Sequence, residues 1–144
     1  MLKRFLTITL LCGAAAVFIS GCAIFKVQVT RVTDISGYTS DVTSVRFTKN
    51  QKIKVDCGGA LMEFPFGALR SMKIDSQRIT SIDGRLYFGA QIELRDGTTF
   101  GKSEEKGGCY ICADNELAGI SSKNSYTVSF HKLRSFIVLD KNEK

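Results

Sequence analysis

An all-β domain is the fold this sequence predicts: a small β-sandwich or closed barrel of roughly seven to nine strands, built from two similar hairpin-containing units. Three observations carry the expectation. Apolar and polar residues alternate with a period of two through most of the chain after residue 26. The longest run is Leu86, Phe88, Ala90, Ile92 and Leu94, interleaved with Tyr87, Gly89, Gln91, Glu93 and Arg95. Asp83-Gly84 and Asp96-Gly97 fall between alternating runs, and Asp-Gly accepts the positive φ of tight hairpin turns. Finally, the pattern Phe-x-x-Leu-Arg-Ser-apolar-x-apolar occurs twice, at 66–74 and 130–138.

Alternation means a half-buried strand because successive side chains of extended backbone point to opposite faces. Along the chain, Val27, Val29 and Arg31 alternate with Gln28, Thr30 and Val32, and Val45 and Phe47 flank Arg46. Ile53, Val55 and Cys57 alternate with Lys52, Lys54 and Asp56. Lys49-Asn50-Gln51 lies between two of these runs and predicts another hairpin turn, with Asn50 left-handed. Met62, Phe64, Phe66 and Tyr126, Val128, Phe130 lead into the two copies of the repeated pattern. No segment after residue 26 carries a helical stripe of more than a turn or two. The expected core is Val45, Phe47, Phe64, Phe66, Leu69, Leu86, Phe88, Ile92, Leu94, Phe130, Leu133 and Val138.

The repeated pattern reads as a corner. Phe enters the core, two residues turn, Leu returns to the core, Arg faces out and Ser eases the bend into the next strand. Upstream, Val45-x-Phe47…Ile53 aligns with Ile92-x-Leu94…Phe100, which gives units over about 42–75 and 86–140 inside one domain spanning 26–144. The second unit is the longer, and the surplus falls in a Cys-containing insertion at about 103–122. Insertions on a repeated scaffold can vary without disturbing the core, so function is expected there.

The first residues read as an address. Lys3 and Arg4 precede an uncharged apolar run from Phe5 to Ile19. As a helix, about fifteen residues reach only ~22 Å, short of a ~30 Å hydrocarbon core. A charged start, a short apolar run and small residues at its end describe a secretory signal. Ile19-Ser20-Gly21-Cys22 then resembles the bacterial lipobox, an aliphatic residue and two small residues before Cys, with Ile19 where Leu is usual. The resemblance covers residues 1–22. It implies a signal over 1–21, cleavage after Gly21, diacylglycerol on the Cys22 thiol, a lipidated tether at 22–25 and membrane attachment by several acyl chains. Ala23 stands where Asp usually retains a Gram-negative lipoprotein at the inner membrane, which implies the outer membrane, facing the periplasm.

Three cysteines remain: Cys57, Cys109 and Cys112. An exported chain meets an oxidising compartment, so a structural disulfide is expected, either Cys109–Cys112 or one of these with Cys57. A thiol–disulfide site is a competing reading, but Gly107-Gly108 and Ala113-Asp114 flank the C-x-x-C in place of a strand and helix N-terminus. A metal site from Cys57, Cys109, Cys112 and His131 would suit tetrahedral zinc, but one C-x-x-C with scattered partners is weak support, and no metal or other cofactor is assigned. Covalent haem is excluded because Ala113 follows the second Cys.

Composition narrows the rest. With 44% apolar and 24% charged residues, the chain is neither a disordered tail nor a multi-span membrane protein. A net charge of +6 falls to +4 once Lys3 and Arg4 leave, and the cations are dispersed, so no nucleic-acid partner is expected. A single His excludes most His-centred active sites. Glu104-Glu105 and Asp114/Glu116 place carboxylates in the insertion, where Lys102 and Lys106 suggest a solvated loop. The expectation is a non-enzymatic envelope lipoprotein that binds or scaffolds another envelope protein. A thiol redox or metal-binding lipoprotein is the alternative. A glycan-binding domain would need exposed aromatics, for which Tyr87 and Tyr110 are the candidates.

Overall fold

A computed structural model describes residues 27–102 and 108–140. The signal segment with Gly21 and Cys22, and the pair Glu104-Glu105, lie outside the described residues. Among the described residues eleven strands follow one another: β1 (Val29–Asp34), β2 (Thr39–Phe47), β3 (Lys52–Cys57), β4 (Ala60–Pro65), β5 (Leu69–Ile82), β6 (Arg85–Leu94), β7 (Thr99–Phe100), β8 (Cys109–Cys112), β9 (Glu116–Ser121), β10 (Asn124–Ser129) and β11 (Leu133–Val138). A 3-10 turn at Phe66–Ala68 joins β4 to β5. No helix among the described residues is long and apolar enough to cross a membrane.

All pairings are antiparallel, and the strand order is β10-β9-β2-β1-β11-β5-β6-β8-β3-β4, with β7 also on β6. The sheet is open, so the fold is sandwich-like and the closed-barrel expectation is corrected. Each end is the outer strand of a tight hairpin, β9–β10 or β3–β4, whose far side meets no other strand among the described residues. Eleven strands replace the expected seven to nine because Cys109–Cys112 and Glu116–Ser121, read as loop, are strands.

The order is palindromic, and this is how the duplication is built. β3, β4 and the start of β5 map onto β9, β10 and β11 by a constant displacement of 64 residues (Lys52 to Glu116, Ala60 to Asn124, Leu69 to Leu133). The hairpin registers match: Ile53↔Phe64 corresponds to Leu117↔Val128, and Cys57↔Ala60 to Ser121↔Asn124. Both turns have two positive-φ residues, Gly58-Gly59 and Ser122-Lys123, as the primed two-residue hairpin requires. β1 maps onto β6 by 60 residues (Val32 to Ile92). The two turns that follow are alike, with Gly37 and Gly97 both at φ 87. Matching backbone bonds run from Ile35 N to Lys132 O and from Arg95 N to Ala68 O. Ile92 therefore corresponds to Val32 and not to Val45, and the first unit begins at β1 rather than near residue 42. The units are interleaved: the first unit's β3–β4 hairpin lies on β8, and the second unit's β9–β10 hairpin lies on β2.

The two repeated corners meet at the centre. β5 and β11 pair as Ser71↔Ile137, Met72↔Phe136 and Lys73↔Ser135, so a local two-fold axis passes between Met72 and Phe136. Leu-Arg-Ser is a β-bulge in both copies. Leu69 and Ser71 pair consecutive residues Leu94 and Glu93, and Leu133 and Ser135 pair Asp34 and Thr33, so Arg70 and Arg134 are each the extra residue. The bulge turns Arg outward while Leu69 and Leu133 stay buried. Phe47 takes Phe66 and Phe130, the equivalent corner residues, edge-on at 5.6 and 6.3 Å. Phe66 also reaches Phe136 at 5.4 Å, so the aromatic cluster ties both units.

Of the expected core, Val45, Phe66 and Leu94 are partly buried, and eight others are buried. Leu86 is the exception at 38% exposed. It sits near the tip of the β5–β6 hairpin, beyond the register shift between Asp75 and Ile79, where the sheet extends past the core. Lys49-Asn50-Gln51 joins strands that do not pair, and Asn50 is not left-handed. In β1 the inward residues are Thr30 and Val32.

The β1–β2 turn rests on Asp34. Its Oδ1 accepts from Ser36 Oγ at 2.6 Å, Ser36 N at 2.9 Å and Tyr38 N at 2.9 Å. These bonds, that from the Ser36 hydroxyl foremost, hold the carboxyl below its ordinary pKa. A depressed folded-state pKa stabilises the fold above the unfolded value of about 3.9, and the contribution is lost as pH falls through the folded value. Asp34→Asn is therefore expected to destabilise the domain near neutrality, with the gap from wild type closing towards pH 2. Urea midpoints across that range check it; a gap that widens on acidification contradicts it.

Candidate functional site

The internal symmetry supplies a reference against which departures stand out, and they collect on one half. In the first half β2 runs unbroken beside β1. In the second, its counterpart is cut into β7 and β8. Asp41 alone separates Ser40 from Val42, whereas residues 101–108 separate the equivalent Phe100 and Cys109. The insertion is thus 101–108 rather than 103–122; residues 116–121 belong to the repeat. Gly101, at φ 75, starts it, and a Cβ there would collide with the Ala90 carbonyl oxygen.

The disulfide is Cys57–Cys109. The two cysteines are directly opposed on β3 and β8, on the side shared with buried Val55 and Ile111. The bridge holds a four-residue strand in place after the insertion and joins the two units. Its counterparts, Ser121 and Val42, form no bridge. Cys112 is a half-buried free thiol. Three residues along an extended strand reverse the face and separate the Cα atoms by ~10 Å, so Cys109 and Cys112 cannot bridge. Cys112 lies opposite Tyr87 on the outer face. His131 is exposed at its corner, edge-on to Phe88 at 5.3 Å. The four residues weighed as metal ligands are therefore not brought together, and among the described residues no cluster of three or more His, Cys, Asp or Glu could hold a metal.

Arg78 organises the outer face of this half, and the sequence reading did not single it out. Residues 76–78 stand outside the β5–β6 ladder, between Asp75↔Gly89 and Ile79↔Phe88. From that bulge Arg78 reaches across Gly89, donates from Nη2 to the Cys109 carbonyl at 3.2 Å, and lies 5.2 Å over the Tyr110 ring. A Cβ on Gly89 would collide with the guanidinium, so glycine is what admits Arg78 there.

Beside the bulge opens a cleft of about 450 Å³. Lys73, Asp75 and Arg78 of β5 line it with Gln91 of β6, Ile35 of the β1–β2 turn and Arg134 of the second corner. On the symmetry-related face the equivalents of Arg134, Gln91 and Ile35 are Arg70, Arg31 and Arg95, and all three are engaged. Arg70 meets Asp140 at 3.3 Å, Arg31 meets Asp41 at 2.9 Å, and Arg95 donates to Gln28 at 2.7 Å. In the cleft, neither Lys73 nor Arg134 makes an ion pair within the described residues. Only Arg134 had a sequence signal, its place in the repeat. No protein-family profile, curated protein or solved structure matches this chain.

Proposed function

We propose that this chain is a lipid-anchored, non-catalytic binding protein of the bacterial envelope, attached through Cys22 and presenting the second-half face to an envelope protein. The concentration of departures from symmetry on that face carries the binding reading: the inserted segment, the disulfide that braces it, and the Arg78–Tyr110 platform. The lipobox resemblance at residues 19–22 supports the anchor, and a disulfide suits an exported domain. Only six residues, 23–28, separate Cys22 from the start of β1 at Val29, so the anchor would hold the domain close to the bilayer, on the outer membrane by the residue after the Cys.

Labelling the full chain with radioactive palmitate in a bacterial host tests the anchor. Label is expected on wild type and absent from Cys22→Ser. An unlabelled wild-type chain overturns the anchor. A photo-crosslinker at Tyr110 is expected to give a discrete protein adduct that the same probe at Thr43, the counterpart of Tyr110 on β2 of the other half, does not. Adducts at neither position sink the scaffolding role.

A further inference from the structure

We infer that the cleft between the β5 bulge and the second corner binds a small molecule through a phosphate group. This goes beyond the scaffolding role and does not depend on the lipid anchor. The cleft volume of about 450 Å³ falls within the ~300–1,000 Å³ of small-molecule sites. Lys73 and Arg134 against Asp75 leave a formal excess of one positive charge, Arg78 being engaged with the Cys109 carbonyl and the Tyr110 ring. Asp75 is itself turned to local work, accepting from the Gln77 backbone at 3.0 Å. An arginine fork, a lysine point charge and the Gln91 amide converge from three strands, a donor set that matches an oxyanion with several acceptor oxygens better than a single carboxylate. Ile35 offers an apolar contact for the rest of the molecule.

The internal repeat is what gives this cation cluster its meaning. A repeat that merely kept arginines for solubility would treat both corners alike. Here the first-corner face closes its arginines onto Asp140, Asp41 and Gln28, while the second-corner face replaces Arg31 and Arg95 by Gln91 and Ile35. The exchange removes two bulky cations at the cleft and leaves Arg134 and Lys73 lining it with no ion pair among the described residues.

The test uses the full chain in detergent, titrated calorimetrically with sodium pyrophosphate at constant ionic strength. Saturable one-site binding is expected, weakened about tenfold or more by Arg134→Gln and by Lys73→Gln. Arg95→Gln, on the symmetry-related face, is expected to leave it unchanged. Both cleft positions are exposed, and matched thermal melts check that the variants fold. Absence of saturation at millimolar pyrophosphate overturns the inference, as does an equal loss from Arg95→Gln, which would mark bulk charge. Retention by phosphatidylglycerol vesicles without pyrophosphate binding overturns it in favour of a headgroup. None of these results bears on palmitate labelling, so this inference and the envelope reading fail separately.

Discussion

Replacing Cys57 and Cys109 together by serine is expected to cost the domain about 4 kcal/mol, with the Cys112→Ser variant near wild type. The bridge closes a loop of 52 residues. Chain-entropy arguments assign a loop of that size about 4 kcal/mol, because the cross-link removes open conformations from the unfolded ensemble. Local geometry argues in the same direction. β8 has four residues, follows the insertion, and relies on β6 and β3 for its place. Without the bridge its pairing with β3 is the weakest of the interleaved contacts, and the Cys109 carbonyl that Arg78 holds becomes free to move. Urea unfolding of both variants, with and without reductant, checks this. Reductant should bring wild type to the double variant. A loss under about 1 kcal/mol would show that packing alone fixes β8.

How much of this was readable in the residues depends on the range of each interaction. Fold class is local in origin, since alternation and Asp-Gly turns act within a few residues. The corner was legible because Phe, Leu, Arg and Ser each have a separate local duty, so the coincidence of four identities carries information. The upstream alignment failed for the converse reason. Val45 and Ile92 were matched on alternation, which any two strands share, while the true equivalence of Val32 with Ile92 is set by pairing to β11 and β5. Interleaving was hidden likewise: alternation says which face is wet, not which strand lies alongside. Leu86 has the right parity but lies where the hairpin outruns the core.

The residues alone admit Cys109–Cys112 or either of these with Cys57, and strand register selects Cys57–Cys109. The cleft had no local sign at all. Lys73 and Arg134 are far apart in the chain and converge only because the two corners pair. Arg78 reaches the platform only because three residues leave the ladder and Gly89 lacks a side chain.

The same pairing predicts where the fold is most sensitive. Phe136→Ala is expected to cost about 3–5 kcal/mol, the range for emptying a buried phenylalanine site. Phe136 is 2% exposed, opposes Met72 on the two-fold axis, and touches Phe66. A cavity there borders both units, and neither corner can collapse into it without breaking register with the other. The neighbouring Ile137→Ala is the control: Ile137 is 38% exposed on the outer face, and its loss should fall within about 1 kcal/mol. Chemical denaturation with a single transition and an unchanged m-value would show that the units unfold together. Two transitions in Phe136→Ala would instead show that the repeats keep independent stability. That outcome would contradict the interleaved packing, since each unit's outer hairpin is completed by strands of the other and has no sheet to pair with alone.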